Sequence, residues 1–219
     1  LFIPGYNSYK KHYETGNAGR EIKGEGPPWL DIYVDCSGSM PNPQAELSHL
    51  ALAGAIIALS ALRVGAKVQA TLWSGNQEYK TTGGFISDRE KIMKVICGYI
   101  GGSTAFPLNI LKDTYLNKEW KESGKRAHIL HISDDGIDTM LSNYGKTPGL
   151  QISKESLEAA GGGGTMALQL NGVKDKKDAL NMRGLKELNQ AGYDIYPVND
   201  WSQLTAFARG FAEKTYGSK

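Results

Sequence analysis

From Trp29 onward the chain alternates short strand-like apolar runs with helix-like periods, and this alternation restricts its possible folds more than any other feature. Residues 30–34 read as a strand, 44–62 as a helix, and 67–73 as a strand in which Val68 and Ala70 alternate with polar neighbours. Residues 79–85 suit an edge strand. A helix then opens with Ser87 or Asp88 as its cap, and its Ile92, Met93, Ile96, Cys97 and Ile100 form one apolar stripe. Pro107 suits the first turn of another helix, ending near Tyr115. Strands are expected at 126–132, 165–170 and 193–198, and helices at 153–160 and 176–190, the latter ended by Gly192. Leu204, Phe207, Ala208, Phe211 and Ala212 give a last helix a core-facing stripe. The class implied is α/β: a doubly wound, mostly parallel central sheet with helices on both faces.

Residues 1–28 differ from the rest. They are rich in Gly, Lys and Tyr and end in Gly26-Pro27-Pro28, which breaks helix and strand alike. We read 1–28 as an extension packing on the domain, with Tyr6, Tyr9 and Tyr13 as anchors, and 29–219 as the domain itself. Leu1 stands where Met would begin a whole protein, so a longer parent chain is compatible with this sequence. The four glycines 161–164 read as a flexible connector; they resemble a phosphate loop in composition only, lacking the Lys-Ser or Lys-Thr that such a loop carries.

Bulk charge does not identify a partner. Lys and Arg total 25 against 23 Asp and Glu, a net charge of +2 that makes no case for nucleic acid or an anionic membrane surface. The apolar stretch 50–62 is too short to span a bilayer, so membrane insertion is not expected. Two cysteines form a poor disulfide framework for 219 residues, which favours a reducing, cytoplasmic setting.

In a parallel sheet ligands bind beyond the carboxyl ends of the strands. Asp35 and Asp134 each stand at such an end, so they become neighbours though distant in sequence. In Asp35-Cys36-Ser37-Gly38-Ser39 a carboxylate and two hydroxyls, each two residues apart, can converge from one turn onto a small, hard cation, with Gly38 allowing the bend.

The pattern Asp-x-Ser-x-Ser resembles the metal-ion-dependent adhesion site (MIDAS) of von Willebrand factor type A (VWA) domains. Gly101-Gly102-Ser103-Thr104 is similar to the loop that supplies that family's Thr, and the strand ending Ser133-Asp134-Asp135-Gly136 to the one that supplies its second Asp. The resemblance implies a Rossmann-like fold and a site for Mg²⁺, or Mn²⁺ or Ca²⁺. Ser37 and Ser39 would be direct ligands, Thr104 a direct or water-bridged one, and Asp35 and Asp134 carboxylates acting mostly through water. A partner's Asp or Glu would complete the cation's shell. The family commonly has Gly straight after this Asp, whereas here Asp135 intervenes and could reach in instead of Asp134. Alternation along the strand favours Asp134.

The resemblance extends to prokaryotic VWA proteins that act beside MoxR-type AAA+ ATPases, and so implies a non-enzymatic adaptor. A Mg²⁺-dependent phosphoesterase or nuclease using Asp35, Asp134 and Asp135 is the alternative from another class, and an extracellular adhesin a third. A serine hydrolase fits poorly, for there is no Gly-x-Ser-x-Gly elbow. Other residues have plainer readings. Asp31 and Asp138 are solvent-facing or structural, and Cys36 is a buried small side chain, not a reactive thiol. His128 and His131, three apart on one strand, face opposite sides of the sheet and do not ligate together.

Overall fold

In the computed structural model, which describes residues 26–217, six strands form one sheet in the order β3-β2-β1-β4-β5-β6. The strands are β1 (Trp29–Asp35), β2 (Val68–Trp73), β3 (Tyr79–Thr81), β4 (Ala127–Asp134), β5 (Gly161–Gln169) and β6 (Tyr193–Val198). All neighbours pair in parallel except the edge strand β3, which runs antiparallel to β2. The expected doubly wound α/β architecture is present. Of the expected extension 1–28, only 26–28 fall among the described residues; Tyr6, Tyr9 and Tyr13 lie outside them.

Helices cover both faces. On one, α1 (His49–Arg63), α2 (Arg89–Ile96) and α8 (Gln203–Tyr216) bury Leu30, Ile32 and Val34 of β1 with Val68, Ala70 and Leu72 of β2. On the other, α3 (Leu108–Tyr115), α4 (Lys118–Glu122), α5 (Gly149–Ala160), α6 (Lys176–Ala179) and α7 (Leu185–Gln190) enclose Tyr33, Trp73, Ile129 and Tyr193. A 3-10 segment, Asp135–Leu141, follows β4 directly. Because both faces are covered, the polar residues that alternate along β2 are buried too, and Gln69 is held by Asp31 and Thr114.

Several boundaries differ from expectation: the edge strand expected at 79–85 ends at Thr81, and the helix whose stripe was expected to reach Ile100 ends at Ile96. The helix expected from 44 begins at His49, because Asn42 accepts from Gln44 N in a separate turn and Ser48 caps the helix through Ala51 N. The expected helix 176–190 is two, broken before Gly184, whose φ of 80° no right-handed helix accepts. The helix ending at Ala160 starts four residues earlier than expected, at Gly149. The largest correction concerns 161–164, which are not a connector but the first half of β5. Glycine is needed there for space: a Cβ on Gly164 would stand 2.7 Å from Tyr193 Cδ1 and 2.7 Å from Leu157 Cδ1. An irregularity in the β4–β5 register between Ala127 and Ile129 absorbs the extra residue.

Candidate functional site

Three segments meet at the carboxyl end of the central strands, and backbone bonds join two of them. Gly38 N donates to Gly102 O at 2.9 Å and Gly101 N to Cys36 O at 3.1 Å, which ties the loop after β1 to the loop carrying Thr104. Gly101 and Gly102 both have positive φ, 73° and 107°, a path that few other residues could follow. Ser74, just past β2, holds the same loop from below. Its hydroxyl donates to Gly101 O and Ser103 O, and its carbonyl accepts from Ala105 N at 2.7 Å.

The third segment is the turn after β4. Thr139 Oγ1 accepts from Phe106 N at 3.0 Å and donates to Gly136 O at 2.8 Å, fastening that turn to the Thr104 loop. A Cβ on Gly136 would stand 2.7 Å from Thr104 Cγ2 and 2.9 Å from Asp134 Oδ1. Thr104 and Asp134 therefore flank one glycine.

Within this frame the expected donors gather. Asp35 is buried; its Oδ1 accepts from Ser37 N at 2.8 Å and its Oδ2 from Ser133 Oγ at 2.6 Å. The Ser37 and Ser39 hydroxyl oxygens lie 3.4 Å apart, with Ser37 buried and Ser39 exposed. Asp134 Oδ1 accepts from Gly136 N at 2.8 Å. Asp134 is half-buried beside the Ser39 side chain, whereas Asp135 is exposed. Burial pushes the Asp35 carboxyl up to about 6, opposed by the bonds from Ser133 and Ser37; burial also raises Asp134.

Sequence reasoning missed Ser133 and Ser74. Both are fully buried hydroxyls at strand ends, and small polar residues closing apolar runs were the available signal. The plainer readings agree with the geometry. Cys36 is buried, its thiol donating to Trp73 O and pushed up to about 11 by burial. Asp31 is buried and structural, accepting from Tyr33, Tyr115 and Gln69. His128 lies against Phe211 of α8 while His131 stacks on Tyr33, on opposite faces of the sheet.

No family model matches the chain, and no curated protein matches it in sequence. Solved structures do. A von Willebrand factor type A protein from Catenulispora acidiphila aligns over 89% of this chain and 44% of its own, with TM-score 0.54 and 15% identity. The vWF domain of the type V pili tip protein Mfa5 from Porphyromonas gingivalis aligns over 86% and 95%, with TM-score 0.55 and 11% identity. The fold is that of von Willebrand factor type A domains. The pilus adhesin SpaC from Lactobacillus rhamnosus GG, in its open conformation, shares it at TM-score 0.58 and 13% identity over 88% of this chain and 30% of its own. The chain thus spans less than half the length of the C. acidiphila and SpaC chains.

The donor set gathered here suits a cation that is hard and oxygen-loving. Among the described residues no three His, Cys, Asp or Glu side chains converge, so a site here depends on hydroxyls as well as carboxylates. Ser37, Ser39 and Thr104 offer neutral oxygens, and Asp35 and Asp134 two charges, a combination suited to Mg²⁺ with retained waters. Asp35 also accepts from the Ser37 backbone N–H, so the carboxylate fixes the turn that carries the hydroxyl.

Proposed function

We propose that this domain is a non-enzymatic, divalent-cation-dependent protein-interaction module. The observation supporting this reading most strongly is the convergence of Asp35, Ser37, Ser39, Thr104 and Asp134 in one stitched frame at the sheet's carboxyl end. Ser37, Ser39 and Thr104 would hold the cation, with Asp35 and Asp134 orienting them and its waters. The cation supplies an electron-poor position that an Asp or Glu of a partner fills. Hydroxyls standing where a two-metal phosphoesterase uses carboxylates favour binding over hydrolysis.

The proposal extends, on the resemblance of the motifs alone, to an adaptor working with a MoxR-type AAA+ ATPase. Two free cysteines are compatible with the cytoplasm as its setting. Adhesion outside the cell is the second reading, favoured by the pilus proteins SpaC and Mfa5 among the similar structures. Both readings use the same site.

The test is capture of short peptides on the immobilised domain in Mg²⁺. Capture should require an Asp or Glu in the peptide, vanish with EDTA and vanish in Ser39→Ala. Turnover of phosphodiester or phosphomonoester substrates by the pure domain, lost in the same variant, would overturn the reading.

A further inference from the structure

Beside the candidate cation site lies a second concavity that its chemistry does not use. A cavity of about 620 Å³ opens between the β2–β3 turn, the first turn of α3 and the loop 142–147, and Thr104 forms part of its wall. Thr104 therefore belongs to both places, and a ligand reaching the cation from this side crosses the cavity.

Its lining is peculiar in charge and in kind. No lining residue carries a formal charge, whereas Glu78, Asp135 and Lys146, in the same turns and loops, are exposed. Four side-chain amides face it: Asn76, Gln77, Asn109 and Asn143. Asn109 Nδ2 donates to Tyr79 OH at 3.1 Å, while the amide groups of Asn76, Gln77 and Asn143 make no hydrogen bond among the described residues. An amide offers both donors and an acceptor, the same complement as a peptide group. Tyr144 adds a ring left 44% exposed, with Lys112 Nζ 5.5 Å from its centroid.

The turn that presents these amides is built at a cost. Gln77 has φ 61°, the one positive φ outside glycine among the described residues, at a hairpin position where Gly or Asn fits with less strain. Glu78 N donates to Gly75 O and Ser74 N to Glu78 O, so the hairpin enforces that conformation. A long amide side chain held in a strained backbone beside a cavity is the kind of outlier that marks a binding surface.

We infer that this cavity receives the residue flanking the partner's acidic side chain, and that it selects a neutral flank, polar or aromatic, in an extended peptide. This rests on the proposed cation site, since the acid fixes the peptide's register. A charged flank would give up hydration to enter a lining that itself offers no formal charge. An amide or aromatic flank exchanges water for Asn76, Gln77 and Asn109 or for the Tyr144 ring.

The experiment uses immobilised peptides with one central Asp flanked by Asn, Gln, Tyr, Lys or Glu, and the intact domain in Mg²⁺. Peptides with neutral flanks should bind roughly ten-fold more tightly than those with Lys or Glu. Asn109→Asp keeps a partner for Tyr79 OH and puts a charge in the cavity, so it should move the preference to Lys while leaving Mn²⁺ affinity within about two-fold. Acid- and Mg²⁺-dependent capture indifferent to the flank, or a preference unmoved by Asn109→Asp, overturns this inference and leaves the cation site standing. No acid-dependent capture of any peptide overturns both.

Discussion

Ser133 Oγ donates to Asp35 Oδ2 at 2.6 Å, joining residues on the adjacent strands β1 and β4 that stand 98 positions apart in the chain. The other oxygen of Asp35 takes Ser37 N, so one buried carboxylate sets both the Ser37 loop and its own rotamer. Removing the hydroxyl in Ser133→Ala leaves that carboxylate short of a donor. The expected cost is about 1–3 kcal/mol of stability in urea unfolding, with weaker Mn²⁺ binding by calorimetry. Unchanged values on both counts would make the bond incidental.

The two adjacent aspartates should separate cleanly. Asp134 lies beside the Ser39 side chain with Gly136 N on its Oδ1, while Asp135 is exposed. Asp134→Ala is expected to reduce Mn²⁺ affinity severely and Asp135→Ala to change it little, measured by titration of each variant. The reverse order would assign the carboxylate's role to Asp135.

His131 and Asp31 pull stability in opposite directions as pH changes. Burial lowers the His131 imidazole from 6.5 to about 3, so its contribution is full above pH 6.5 and is lost as pH falls toward 3. Burial raises Asp31 from 3.8 to about 7 despite bonds from Tyr115, Tyr33 and Gln69, so its contribution is full below 3.8 and lost as pH rises through 7. Asp35, raised to about 6, adds to the Asp31 slope.

His131→Phe removes one side of that balance. Both ring nitrogens of His131 lack hydrogen bonds among the described residues, and Tyr33, Phe106 and Tyr193 surround it. The variant should be more stable at pH 7 by about 1–3 kcal/mol. Its stability should then fall as pH rises from about 4 to 7, because the carboxylates are no longer opposed. A less stable variant at pH 7, or an unaltered pH profile, would contradict this account.

How much of this was legible in the sequence depended on whether the controlling contacts were local. The alternation of periods predicted the doubly wound sheet, and 193–198 matched β6 to the residue, because those signals lie in neighbouring side chains. The nearness of Asp35 and Asp134 was legible because topology brings strand ends together, whereas Ser37, Ser39 and Thr104 were reached as candidate ligands through the resemblance of their motifs. Ser133 and Ser74 were not, because their partners are distant in sequence: Asp35 on β1 for Ser133, and Gly101 and Ser103 of the Thr104 loop for Ser74. Gly161–Gly164 misled for the same reason: composition suggested freedom, but Tyr193 and Leu157 leave no room for a side chain at Gly164, and the β4 backbone at Ala127 leaves none at Gly162.

That packing can be tested against a glycine in open space. Gly164→Ala would drive a Cβ into the buried Tyr193 ring and is expected to cost about 1–3 kcal/mol. Gly210, inside α8 with no atom within 4 Å of a built Cβ, should gain about 1 kcal/mol on changing to Ala. Thermal unfolding of the two variants gives the comparison, and equal midpoints would deny the steric role of Gly164.

The central claim is that Ser37, Ser39 and Thr104, oriented by Asp35 and Asp134, hold one divalent cation. Calorimetric titration of the domain with Mg²⁺ and with Mn²⁺ addresses it directly, with Ser39→Ala as the paired variant because that side chain is exposed and its loss should leave the metal-free melting temperature nearly unchanged. The account predicts one cation bound per wild-type chain and none by Ser39→Ala. A folded wild-type protein that takes up no cation at millimolar concentration, or a Ser39→Ala variant that binds as the wild type does, would contradict it.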